Sequence, residues 1–209
     1  MEPVKEIDLQ QYPRLEHFRY FSQMAYPYVG VTVQTDITAF LKKIKKENDP
    51  FFLSFLYCVD RAANAVAPLR QRIWEGKILE YSYCLSSHTV AIEDGTYSYC
   101  RLDARMPFHE FLPAALEKQA LAKQQGDIEE NEDSRSYFFI STIPWFSYTQ
   151  LTQAVPSPAD SNPRITWGKY YTQGDHVLLP FSLQCNHALV DGLHMSQFFQ
   201  KLEQEMLEF

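Results

Sequence analysis

The segment Val177-Leu178-Leu179-Pro180-Phe181-Ser182-Leu183-Gln184-Cys185-Asn186-His187-Ala188-Leu189-Val190-Asp191-Gly192 decides how the chain is read. Val177, Leu179, Phe181, Leu183 and Cys185 alternate strictly, the period of a strand with one face against a core. Beyond Gly192, Met195, Phe198, Phe199, Leu202 and Met206 recur at helical steps and mark the apolar stripe of a terminal helix. His187 is therefore expected at the end of a buried strand, just before a turn containing Asp and Gly, in front of a helix.

Working outward, Tyr137 to Ile143 is a continuous apolar strand interrupted by Ser141 and Thr142. Tyr28 to Thr35 is rich in β-branched residues and reads as another strand, with Asp36 as the N-cap of a helix carrying Phe40, Leu41 and Ile44. Phe51 to Val66 follows as a more buried helix. The middle turns to short strands over Ile78–Tyr83, Thr89–Ile92 and Tyr97–Leu102, then to a helix over Phe108–Lys123 with Pro113 in an early turn or at a kink. Loops are expected from Gly126 to Ser136, which is acidic, and from Thr152 to Arg164, which holds Pro156, Pro158 and Pro163. Neither has the make-up of an interdomain linker, so residues 1–209 are expected to form one domain.

Composition narrows the classes of function. With 26 acidic against 19 basic residues and a formal charge of −7, a nucleic acid backbone would be repelled. No apolar stretch approaches bilayer length, and charged Met1 to Asp8 is followed by no apolar run, so no membrane partner and a cytoplasmic location are expected. Cys58, Cys84, Cys100 and Cys185 lie far apart in a chain long enough to build a core without staples, which points to free thiols. The 15 Phe, 13 Tyr and 3 Trp speak for a core or pockets lined by large rings.

An isolated histidine is most often a packed residue satisfied by backbone groups. At a strand end facing loops that reading weakens, because site residues concentrate there and imidazole can accept a proton near neutral pH. A metal set of His187, Asp191 and His194 is the other alternative. Gly192 breaks the phase that would align those three, and no further His or Cys cluster joins them, so no metal is expected.

Asn186-His187-Ala188-Leu189-Val190-Asp191-Gly192-Leu193-His194 resembles the His-x-x-x-Asp-Gly signature of the chloramphenicol acetyltransferase family, with Asn186 where the family usually has a second histidine. The signature also occurs in dihydrolipoamide acyltransferase cores and in condensation and plant acyltransferase domains. Arg14-Leu15-Glu16-His17-Phe18, Ile143-Pro144-Trp145-Phe146-Ser147-Tyr148 and the stretch Thr166 to Asp175 resemble further segments of the chloramphenicol enzymes in the same order, so the likeness spans essentially the whole chain.

The resemblance implies a mixed α/β fold, a mixed sheet with helices packed mainly on one face, assembled as a homotrimer with active sites between subunits. It implies direct acetyl transfer from acetyl-CoA to an alcohol, with His187 as general base, Ser141 as oxyanion donor and Thr166 holding a water beside that oxyanion. Asp191 and Arg14 would pair as structural supports, and Tyr170 and Lys169 would lie near the adenine and phosphate of CoA. An exposed lysine beside a strand tyrosine accounts for the last two nearly as well.

Acceptor positions correspond to Tyr20, Phe21, Tyr26, Tyr97, Tyr99, Leu151 and Gln153, a set richer in tyrosine and more polar than the family's, and Arg164 stands where the family pattern is apolar. Chloramphenicol, and hence antibiotic inactivation, leads as the acceptor; a different hydroxylated acceptor, or a non-catalytic binding protein on the same scaffold, are the alternatives.

Overall fold

The structure, a computed structural model, describes residues 3–93, 95–125 and 133–209. In chain order the strands are β1 (Val4–Ile7), β2 (Tyr28–Asp36), β3 (Gln71–Trp74), β4 (Lys77–Tyr81), β5 (Leu85–Ala91), β6 (Tyr97–Leu102), β7 (Tyr137–Ile143), β8 (Arg164–Gly168), β9 (Tyr171–Gln173) and β10 (His176–Asn186). The helices are α1 (Leu15–Phe21), α2 (Thr38–Glu47), α3 (Phe51–Asn64), α4 (Phe108–Gln125) and α5 (Gly192–Glu208). Most of the acidic loop expected from Gly126 to Ser136 lies outside the described residues.

The main sheet runs β2-β10-β8-β7-β5-β6, with β9 paired to the start of β10. It is mixed: β5, β7 and β8 are parallel neighbours, and β10 runs antiparallel to both β2 and β8. A separate antiparallel sheet joins β1, β4 and β3. The mixed sheet with helices chiefly on one face is therefore present.

Alternation on β8 and β10 sorts the two faces. Trp167 and Phe181 stack 6.1 Å apart and meet Phe55 of α3, and Phe181 also meets Phe198 and Phe199 of α5, so this face is the core. Arg164 and Thr166 on β8 and Ser182, Gln184 and Asn186 on β10 alternate with these and face the opposite way. Ser141, Thr166, Ser182 and Thr32 are register partners in succession across β7, β8, β10 and β2.

That polar face is covered by residues 144–163, which have no helix or strand of their own. The Tyr148 hydroxyl donates to the Thr166 carbonyl at 3.0 Å, and the Tyr148 ring lies so close to Gly168 that a Cβ there would meet it at 2.8 Å. Glycine is required at 168 by space, because any side chain would drive the covering segment off the sheet.

Differences from the sequence expectations are local. Asp36 stands one residue before the N-cap of α2, which is Ile37, although its Oδ1 still accepts the Thr38 N–H at 2.9 Å. Arg164 is the first residue of β8 rather than the last of a loop. All four cysteines are buried, Cys58, Cys100 and Cys185 as free thiols, and burial pushes the Cys185 thiol up to about 12, an inert group at neutral pH. Among the described residues no helix is long and apolar enough to cross a membrane.

Candidate active site

β10 delivers His187 to a tight turn. The His187 N–H donates to the Pro27 carbonyl at 2.7 Å, and the Asn186 carbonyl accepts from both Leu189 and Val190. Asn186 ties the same turn together from its side chain, since Oδ1 accepts the Ala188 N–H at 3.1 Å while Nδ2 donates to the Asp160 carbonyl at 2.9 Å. The residue that departs from the family signature thus anchors the covering segment to the strand end.

The imidazole of His187 stacks on Phe21, with ring centres 3.8 Å apart, and its Nδ1 lies 2.9 Å from the Val190 carbonyl. A carbonyl can only accept, so Nδ1 carries a proton, and the tautomer this selects for the uncharged ring leaves Nε2 as the acceptor. This tautomer suits a base. The partner of Nδ1 is backbone, and Asp191 is not a triad member.

Asp191 instead caps α5, its Oδ1 accepting from the N–H groups of Leu193 at 3.0 Å and His194 at 3.4 Å. Its Oδ2 lies 3.2 Å from Arg14 Nη1, which also donates to the Leu189 carbonyl at 3.1 Å and to His194 Nδ1 at 2.8 Å. The Asp191 N–H donates to that same Nδ1 at 3.2 Å; burial, opposed by Asp191 and aided by Arg14, keeps the His194 pKa below the usual histidine value. Both Nδ1 atoms and the Asp191 carboxylate are thus engaged by protein groups, and among the described residues no cluster is arranged to hold a metal ion.

For Asp191, burial pulls the pKa upward, but the His194 imidazole, the Arg14 guanidinium and the helix N–H groups outweigh it, so the carboxyl titrates below its ordinary value. A lowered carboxylate pKa contributes stability that is present above about pH 4 and lost as pH falls through the folded value. At pH 7, Asp191→Asn and Arg14→Ala should each lower thermal stability and activity together. A double-mutant cycle by denaturant unfolding should give a coupling of roughly 0.5 to 3 kcal/mol that fades in acid; additive losses would show that the ion pair does not hold the turn.

Ser141 and Thr166 are neighbours in register on β7 and β8. The Thr166 hydroxyl is buried with no hydrogen-bond partner among the described residues, whereas Ser141 lines a cavity of about 750 Å³ between the sheet and the covering segment. Tyr99 and Gln153 line this cavity too, and His187 does not. Leu151 and Tyr26 line a second cavity of about 440 Å³ beside Thr32 and Ser182. Tyr20 packs edge-on against Phe21, and exposed Tyr97 sits edge-on to Tyr99. Lys169 and Tyr170 are exposed just past β8, Tyr170 meeting Phe51 edge-on at 5.4 Å.

The chain does not bring His187 to Ser141 and Thr166. From Ser182, the partner of Thr166, to the end of β10 at Asn186 is roughly 13 Å of strand, and His187 lies beyond it. Sequence reasoning also missed Asp160, whose carboxylate takes both Arg164 nitrogens at 2.8 Å and the Tyr28 hydroxyl at 2.9 Å. Its four-residue spacing to Arg164 was the available signal, and it is silent outside a helix.

A mixed sheet ending in a histidine turn, with helices on one face and a polar opposite face, is the fold of the CoA-dependent acyltransferases. A solved chloramphenicol acetyltransferase, 23% identical, superposes with a TM-score of 0.83 over 98% of this chain and 100% of its own. The truncated catalytic core of a 2-oxoacid dehydrogenase multienzyme complex from Thermoplasma acidophilum, 16% identical, reaches 0.68 over 99% of each. The family model described as chloramphenicol acetyltransferase matches residues 3–203. Chloramphenicol acetyltransferases from Klebsiella sp and Escherichia coli are each 32% identical over 200 residues, 95% of this chain and 91% of theirs, and one from Proteus mirabilis is 31% identical over 210 residues, 95% and 92%. The chain belongs to the chloramphenicol acetyltransferase family and is an acetyltransferase.

Proposed function

We propose that this protein transfers an acetyl group from acetyl-CoA to a hydroxyl of a small molecule, with chloramphenicol the acceptor to which the names of its relatives point, and so inactivates the antibiotic. The observation that carries the proposal is the Nδ1 bond of His187 to Val190, which leaves Nε2 free as a proton acceptor. Nε2 takes the hydroxyl proton as the acceptor oxygen attacks the thioester carbon. The resulting oxyanion receives a hydrogen bond from Ser141, and the orphan Thr166 hydroxyl is suited to hold a water beside it. Collapse breaks the carbon–sulfur bond, and the proton on Nε2 passes to the departing CoA thiolate.

The separation of His187 from Ser141 and Thr166 within one chain supports a composite site, His187 of one subunit facing the hydroxyls of its neighbour in a cytoplasmic homotrimer. Exposed Trp145, 76% accessible, and Phe146, 57% accessible, are apolar surface available for such contacts. Lys169 and Tyr170 are the residues we assign to CoA, the lysine to phosphate and the ring to the adenine. Phe21, stacked on the imidazole, and Tyr99 and Gln153, which share a cavity with Ser141, are the residues we assign to the acceptor, together with Tyr20, Tyr26, Tyr97 and Leu151.

The test is thiol release from acetyl-CoA with chloramphenicol and a panel of other alcohols, alongside sedimentation of the protein. Acceptor-dependent thiol release by a trimer is the expected result. A protein that binds acceptor yet releases no thiol with any alcohol would be a binding protein on this scaffold.

A further inference from the structure

The covering segment meets the end of β10 at Asp160. This residue lies in a stretch with no helix or strand, so its place is set by the bonds it makes. Arg164 clamps its carboxylate, Nη1 donating to Oδ1 and Nη2 to Oδ2 at 2.8 Å each, a paired geometry that fixes orientation as well as distance. Arg164 opens β8 opposite Gln184 of β10, and its side chain is only 10% accessible, so the clamp is anchored on the sheet itself. Tyr28 closes the other side. Its hydroxyl donates to Asp160 Oδ1 at 2.9 Å and accepts the Asp160 N–H, also at 2.9 Å. Burial and the bond to Asp160 push the Tyr28 hydroxyl up to about 12, which keeps it a donor at neutral pH.

Asp160 in turn holds the residue before His187. Its carbonyl accepts from Nδ2 of Asn186, which is buried and is the register partner of Tyr28. Asn186 then sets the turn: its carbonyl accepts the Val190 N–H at 3.0 Å, and the Val190 carbonyl is the group that takes the Nδ1 proton of His187. Pro27, next to Tyr28, receives the His187 N–H. Both backbone carbonyls bonded to His187 therefore lead back to Asp160, one through Asn186 and the other through Tyr28. Arg164 and Asn186 are also the two places named above where the chain departs from the family pattern, and they grip the same residue from opposite sides.

We infer that Asp160 is a positioning residue for acetyl transfer: held by Arg164 and Tyr28, it fixes Asn186, and through Asn186 the Val190 carbonyl that aims the His187 ring. This rests on the reading of His187 as the base. The role is geometric, since Asp160 reaches the imidazole only through Asn186 and the turn. A misplacement of about 1 Å at the reacting atoms costs on the order of 10² in rate, so a displaced strand end is enough to slow the reaction.

The experiment measures thiol release from acetyl-CoA with chloramphenicol for the wild type, Asp160→Asn, Asn186→Ala and the double variant, with histidine nitrogen NMR of His187 in each. Asp160→Asn should lower kcat on the order of tenfold to a hundredfold, while KM for acetyl-CoA and for the acceptor stays within about twofold. Asn186→Ala should fall as far, and the double variant should be no slower than the slower single one, because both changes cut one tie. In each variant the Nδ1–H form of the His187 ring should lose intensity to the Nε2–H form. Multiplicative losses, a change confined to KM for the acceptor, or an unaltered His187 spectrum would overturn the inference. Should Asp160→Asn fail to fold, Tyr28→Phe removes one hydroxyl without altering charge and takes its place in every comparison. If the wild type releases no thiol, or His187→Ala keeps its activity, the base reading falls, and the ring spectrum alone then decides whether Asp160 orients His187.

Discussion

His187→Ala should abolish acetyl transfer while leaving acetyl-CoA binding and the assembly intact. The groups recorded against the residue offer no substitute base: the stacked neighbour is the apolar ring of Phe21, and the Pro27 and Val190 carbonyls are far too weakly basic to take the proton. A positioned base contributes roughly 10² to 10⁴ in rate. The fall should appear in kcat, measured by thiol release at saturating acetyl-CoA and acceptor, with the Kd for CoA from calorimetry close to that of the wild type. Retention of more than about a hundredth of the activity would remove His187 from the role of base. Loss of CoA binding or of the oligomer would instead make the ring a structural plug, held by Phe21 and the turn.

How far the sequence disclosed this arrangement depends on where each signal resides. β10 and α5 were legible because one face of each is buried along its whole length, so Leu179, Phe181 and Leu183, then Phe198, Leu202 and Met206, print their periods directly. α1, which carries Arg14, left almost no mark, since among its seven residues only Phe18 is buried and Arg14 at its N-cap makes no capping bond. β1 and β3 escaped for a similar reason: four-residue strands in a small separate sheet are too short to show a period. The polar face of the main sheet was invisible because Thr166, Ser182 and Gln184 are buried under a segment without regular structure. The pairing of Arg14 with Asp191 came from resemblance alone, across 177 residues of chain, and no local pattern could have supplied it.

Ser141→Ala separates an oxyanion donor from a residue that merely lines the pocket. The two roles differ in when the hydrogen bond forms. A donor aimed at the developing oxygen charge is weakly engaged by the ground-state thioester and fully engaged in the transition state, so its loss lowers kcat and kcat/KM by similar factors. A binding contact acts equally in both states and raises KM with little change in kcat. Ser141 pairs in register with Thr166 on a strand that β5 also braces just upstream, so its backbone is fixed, the condition that favours a donor in place before charge develops. The expected loss is on the order of 10² in both parameters. Thr166, its register partner, should show a smaller loss on truncation to valine, because a water it positions can be held in part by other groups. A rise confined to KM in Ser141→Ala would make Ser141 an acceptor contact, and the oxyanion would then need its donor from the Thr166 side of the row.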